Sequence, residues 1–157
     1  MATTRIPRDF KEFLKSLDAH KARYLLVGGY AVNAFGYVRN TVDMDVWVAS
    51  DAENPRRVLD AIREFGFPSA PDDIFDADDA MVRMGVPPLR IEVLRRISGV
   101  EFEDCWPRRV AIQDDDILIP AISLADLKRN KLAAVASFVD AVREGEEFHR
   151  FRIHRVA

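Results

Sequence analysis

The sequence predicts a mixed α/β (α+β) domain, with helices flanking one mixed β-sheet. Three observations predict it. Apolar residues recur at helical spacing in three long stretches, and short apolar or valine-rich runs fall between them. The segments follow one another as helix, strand, helix, strand, helix, then strands, then helix. No Gly/Ser or Pro linker, internal repeat or low-complexity tract divides the chain, so residues 1–157 read as one domain. The basic tail from about residue 143 shows no clear period.

Phe10, Phe13, Leu14 and Leu17 form the stripe of a first helix over residues 8–20. Tyr24-Leu25-Leu26-Val27 is a short apolar run stopped by Gly28 and Gly29, the pattern of a buried strand. Residues 30–35 have helical composition and end at Gly36, a natural C-cap. Residues 41–49 alternate and are rich in valine, as a strand requires. Val58, Leu59, Ile62 and Phe65 mark another helix, closed by Gly66 and Pro68. An acidic, irregular stretch over 69–80 precedes strands at 81–84 and 89–94, joined by Gly85-Val86-Pro87-Pro88. A second hairpin spans 110–113 and 117–120. Ser123 with Asp126 three residues on is a capping box that opens a last helix, through about residue 142.

Hydrophobic residues make up 48% and charged residues 31%, a globular balance, and the net charge of −3 supplies no basic field to gather nucleic acid. The single cysteine, Cys105, permits neither an intrachain disulfide nor a cysteine-based zinc site and reads as a small buried hydrophobe. No apolar run is long enough to span a bilayer, and the N-terminus lacks the apolar core of a signal peptide, so the expected location is cytoplasmic without membrane attachment. His20, His149 and His154 offer no arrangement for a catalytic base, and the acidic 72–79 stretch lacks the glycine and closing glutamate of a calcium loop.

Four features carry chemistry. Gly28-Gly29 joins a strand to a helix, where the absence of Cβ atoms and the helix's free N–H groups suit phosphate; a plain tight turn is the other reading. In Thr41-Val42-Asp43-Met44-Asp45-Val46, strand alternation puts Asp43 and Asp45 on one face. Such a pair needs a cation, which is either Arg39 or a divalent ion, and oxygen-only ligands favour Mg²⁺ or Mn²⁺. Glu92, between Ile91 and Val93, is either solvent-facing or a buried carboxylate that also needs a cation. Lys131 falls on the apolar stripe of Leu127, Ala134 or Val135, and Phe138, where it either snorkels outward or reaches an internal anion.

Together these features resemble the DNA polymerase β-like nucleotidyltransferase superfamily, whose signature is a Gly-Gly or Gly-Ser turn, paired acids, and a third acid between hydrophobic residues. Within it the chain is similar to small bacterial proteins related to abortive-infection-type toxin nucleotidyltransferases, through LLVGGYAVNAFGYVRNTVDMDVWV, RIEVLRRISGVEFEDCW and ISLADLKRNKLA. Aspartate is commoner at the third acid, where this chain has Glu92.

The resemblance implies a nucleotidyltransferase fold. Asp43, Asp45 and Glu92 would be both the catalytic residues and the metal ligands for Mg²⁺ (or Mn²⁺). Gly28, Gly29, Arg39, Thr41 and Lys131 would bind a nucleoside triphosphate. The implied reaction moves a nucleoside monophosphate to an acceptor hydroxyl on RNA, protein or a small molecule, with release of pyrophosphate. The alternative is a nucleotide- or partner-binding member without strong catalysis, such as half of a toxin–antitoxin pair. The small domain leaves room for a homodimer or a partner chain to complete the acceptor surface.

Overall fold

The computed structural model describes residues 6–37, 40–86 and 88–144. Helix α1 spans Arg8–Ala19, strand β1 Tyr24–Val27, helix α2 Gly28–Ala34, strand β2 Asp43–Val48 and helix α3 Asn54–Phe65. Strands β3 (Met81–Met84) and β4 (Arg90–Leu94) follow, then a short helix α4 (Phe102–Cys105) running into a 3₁₀ turn at Trp106–Arg108. Strands β5 (Val110–Asp114) and β6 (Ile117–Ala121) lead to helix α5, Leu124–Arg143. Among the described residues no helix is long and apolar enough to cross a membrane.

The six strands form one mixed sheet in the order β3-β4-β2-β1-β6-β5. The pairs β1·β2, β3·β4 and β5·β6 are antiparallel, whereas β2·β4 and β1·β6 are parallel. Helices cover both faces, so β1 and β2 are buried along their whole length.

Alternation sorts the strand residues between two cores. On one face Leu26, Met44, Val46, Ile91 and Val93 meet Phe13, Leu14 and Leu17 of α1 and Val58 and Ile62 of α3. On the other, Leu25, Val27 and Trp47 meet Ala31 of α2, Phe102 and Cys105 of α4, and Leu127 of α5. Cys105 is buried there as a free thiol. Each fully buried Leu, Ile or Phe contributes about 1.5–3 kcal/mol, so a chain this long needs no cross-link.

Asn54 ties the start of α3 to the sheet, accepting from Arg23 N at 2.7 Å and donating to Arg23 O at 3.0 Å and Ala49 O at 2.8 Å. Pro55 follows it in the first turn, where its missing N–H costs nothing.

Three details differ from the sequence expectation. Strand β2 begins at Asp43 rather than residue 41, and β4 at Arg90 rather than 89. Helix α4 and its 3₁₀ turn are additional elements. The expected inner stripe of α5 passes through Ala134 or Val135, but both are exposed, Val135 at 60%; Leu127, Lys131, Phe138 and Ala141 are among the partly or fully buried positions.

Candidate functional site

The second face of the sheet becomes polar at the end where β1 enters α2. Register puts Val27 opposite Asp45, Asp45 opposite Glu92, and Asp43 opposite Arg90. Neighbouring strands lie about 4.8 Å apart, so the carboxylates of Asp45 and Glu92 are side by side. All three acids are buried, with exposures of 6% for Asp43, 0% for Asp45 and 1% for Glu92. Glu92 is therefore not the solvent-facing strand residue that it could have been.

The glycine turn closes on these acids. Gly28 has φ +67°, and a Cβ there would sit 2.1 Å from Oδ2 of Asp45. A Cβ on Gly29 would sit 2.4 Å from Oγ1 of Thr41. Only glycine allows backbone, carboxylate and hydroxyl to come so close. Thr41 in turn donates to the carbonyl of Asp43 at 3.4 Å.

The acids differ in their partners. Arg90 grips Asp43 with Nε at 3.3 Å and Nη2 at 3.0 Å. Arg83 on β3, opposite Glu92 in the register, donates to its Oε1 at 2.9 Å. Both carboxylate oxygens of Asp45 are buried without a hydrogen-bond partner among the described residues. Burial first, and then the charges of Glu92 and Asp43, push the Asp45 carboxyl far above the usual carboxylate range, while Lys131 pulls it down. Burial also raises Glu92, against the opposing pull of Arg83. When one of the two is protonated, Asp45 and Glu92 can share that proton; with both ionised they repel.

The structure thus brings Gly28, Gly29, Thr41, Asp43, Asp45 and Glu92 to one place, and Lys131 on α5 is near enough for its charge to act on Asp45. Arg39 lies outside the described residues, as does the tail with His149 and His154. The sequence reading gave the Asp43–Asp45 pair to Arg39 or a metal and named no protein partner for Glu92; among the described residues Arg90 pairs with Asp43 and Arg83 with Glu92. It also missed Tyr30, whose phenol is raised by burial and then by the charge of Asp43. Arg90 shares the face of Glu92 by alternation, but its partner sits 47 residues away in sequence.

The donor set is oxygen only, which suits a hard divalent cation. The orphaned oxygens of Asp45 fit such an ion. Asp43 and Glu92 are engaged by arginine, and among the described residues no three His, Cys, Asp or Glu side chains are grouped to hold a metal ion. A cavity of about 600 Å³, lined in part by Leu94, Ile97, Gly99, Arg108 and Arg129, contains none of the three acids in its wall.

No protein-family model and no curated protein sequence matches the chain. Among solved structures it is similar to a candidate nucleotidyltransferase from Thermotoga maritima, with 13% identity and a TM-score of 0.55, over 89% of this chain and 97% of that one. At that identity the likeness speaks for architecture alone: the six-stranded mixed sheet with flanking helices is a nucleotidyltransferase fold.

Proposed function

We propose that the protein is a Mg²⁺-dependent nucleotidyltransferase. It moves a nucleoside monophosphate from a nucleoside triphosphate to an acceptor hydroxyl. The observation that carries this reading is Asp45, fully buried, with no partner for either oxygen among the described residues beyond the proton it can share with Glu92, and set against a turn that only glycine can make. An unpaired buried carboxylate is costly, and a fold retains one where a cation or a reaction needs it.

In this reading Asp45 would hold the cation, together with Asp43 and Glu92 wherever these give up their arginine partners. A bound Mg²⁺ supplies Lewis acidity at the phosphoryl oxygens. The backbone of Gly28 and Gly29 cradles the triphosphate, with Thr41 beside it as a hydroxyl donor. Lys131, and by resemblance Arg39, offset charge on the leaving pyrophosphate. Glu92 would accept the proton of the acceptor hydroxyl. The acceptor oxygen–α-phosphorus bond forms, the bond from that phosphorus to the bridging oxygen breaks, and pyrophosphate leaves with that oxygen.

A second reading is favoured by the arginine pairs on Asp43 and Glu92, which neutralise two of the three acids without a metal. It is a nucleotide- or partner-binding protein that has lost turnover, as half of a toxin–antitoxin pair could be. Labelled triphosphates incubated with Mg²⁺ and the full chain discriminate between the two. The transferase releases pyrophosphate and Asp45→Asn does not; equal release from both proteins removes the enzyme reading.

A further inference from the structure

The acids have two flanks. On the β1 side the glycine turn closes over Asp45. On the other side lie β4 and then β3, the edge of the sheet, and both bring an arginine to the same face. Arg83, Glu92 and Asp45 form one row across β3, β4 and β2, and Arg90 and Asp43 form the next. Arg90 Nε is also 4.0 Å from Oε1 of Glu92, so the two guanidiniums share the acidic cluster.

Stability alone does not explain this cluster. Well-packed apolar side chains commonly do as well as buried ion pairs, or better. Nor are the arginines sealed in: the side chains of Arg90 and Arg83 are 19% and 33% exposed, whereas those of Asp43 and Glu92 are only 7% and 2% exposed. Solvent reaches the arginine side chains and barely reaches the acids they pair with. A cation held by the acids would compete with both arginines for these partners. A planar guanidinium can then turn its fork to an anion without leaving the site. The triphosphate has its cradle on the opposite flank, so that anion belongs to the other substrate.

We propose that Arg83 and Arg90 form the anion-recognising half of the acceptor site, and that the acceptor carries a phosphate beside its reacting hydroxyl. This rests on the nucleotidyltransferase reading of the acids. The phosphate can come from the phosphodiester of an oligonucleotide end or from a phosphorylated small molecule.

The test is calorimetric binding to the full chain with Mg²⁺ and a triphosphate analogue that cannot break its α–β bridge. One arm compares a ribotrinucleotide with its 3′-terminal nucleoside, and the other compares ribose 5-phosphate with ribose. In at least one arm the phosphorylated probe binds about tenfold tighter or more, the scale of a charge-assisted bidentate contact. The arm that responds identifies the source. In R83Q/R90Q that advantage disappears while the analogue binds at least as tightly as to wild type, because the arginines no longer compete with the cation for Asp43 and Glu92, and R83K/R90K restores part of the phosphate advantage through charge without the fork.

Equal affinity for phosphorylated and unphosphorylated probes in both arms overturns the proposal on the wild-type protein, whatever becomes of the variants. A parallel loss of analogue binding in R83Q/R90Q also overturns it, by giving the arginines to the nucleotide. If the analogue does not bind wild-type protein, the transferase reading fails, and the probe comparison without analogue still decides whether these arginines receive phosphate.

Discussion

Gly28 and Asp45 are coupled through space. A methyl group on Gly28 would have to displace Oδ2 of Asp45, and φ +67° disfavours any L side chain there. Gly28→Ala is expected to destabilise the fold by about 1–3 kcal/mol and to abolish triphosphate binding, read by denaturant melts and by titration with the nucleotide. Asp45→Asn is expected to act in the opposite direction on stability. Asparagine carries no charge and can donate an N–H to Glu92, so the metal-free variant gains about 1–2 kcal/mol at pH 8 while losing its response to Mg²⁺. The sign follows from the raised carboxyl: folded Asp45 keeps its proton where unfolded Asp45 has lost it. The metal-free wild type therefore loses stability as pH rises above the unfolded value of about 3.9, and the variant lacks that loss. Melts across pH 4–9 compare the two slopes; parallel slopes would remove Asp45 as the buried acid. Alternation alone placed Asp43 and Asp45 on one face. The arginine partners were not legible, because cross-strand neighbours depend on which strands pair.

At the scale of elements, α5 shows what a local pattern can and cannot convey. Ser123 Oγ accepts from Asp126 N at 3.2 Å, as the Ser-x-x-Asp spacing predicts. The spacing does not reveal that Asp126, fully buried, also accepts from Arg108 Nε at 2.9 Å and Nη2 at 3.0 Å and from Arg129 Nη1 at 2.8 Å. Arg108, then Ser123, holds its carboxyl below the usual range against the cost of burial. Asp126→Ala is expected to cost about 1–3 kcal/mol, toward the lower end because both arginines are largely exposed to solvent screening. It is also expected to weaken triphosphate binding, since α5 carries Lys131. A depressed folded value means that this contribution is complete above the unfolded value and is lost as pH falls through the folded one. Acid melts of the variant should accordingly show a shallower fall than the wild type, and an unchanged acid limb would remove Asp126 as its source. Helix α4 escaped notice for a different reason. Four residues are too few for a period, and Phe102 holds its place by edge-on contact with Trp47 and stacking on Trp106.

At the scale of the molecule, the order of elements indicated the class of fold, but not the strand order on which the site depends. The sheet puts β2 between β1 and β4, so Asp45 has the glycine turn on one side and the arginines on the other. Parallel pairing of β2 with β4 crosses α3 and β3 and leaves no local mark in the sequence. That arrangement sets how ligands stabilise the whole domain. Mg²⁺ alone would have to compete with Arg90 for Asp43 and with Arg83 for Glu92. Mg²⁺ with a triphosphate adds the phosphate contacts of the glycine turn and Lys131. A ligand at a hundredfold its Kd adds about 2.7 kcal/mol, which for a domain of this length raises Tm by about 5–10 °C. The combination is expected to give a shift of that size, Mg²⁺ alone at the same concentration less than a third of it, and Asp45→Asn neither. Differential scanning fluorimetry reads all three. An equal shift from Mg²⁺ alone would mean that the acids are already free for the ion and that the arginines do not compete with it.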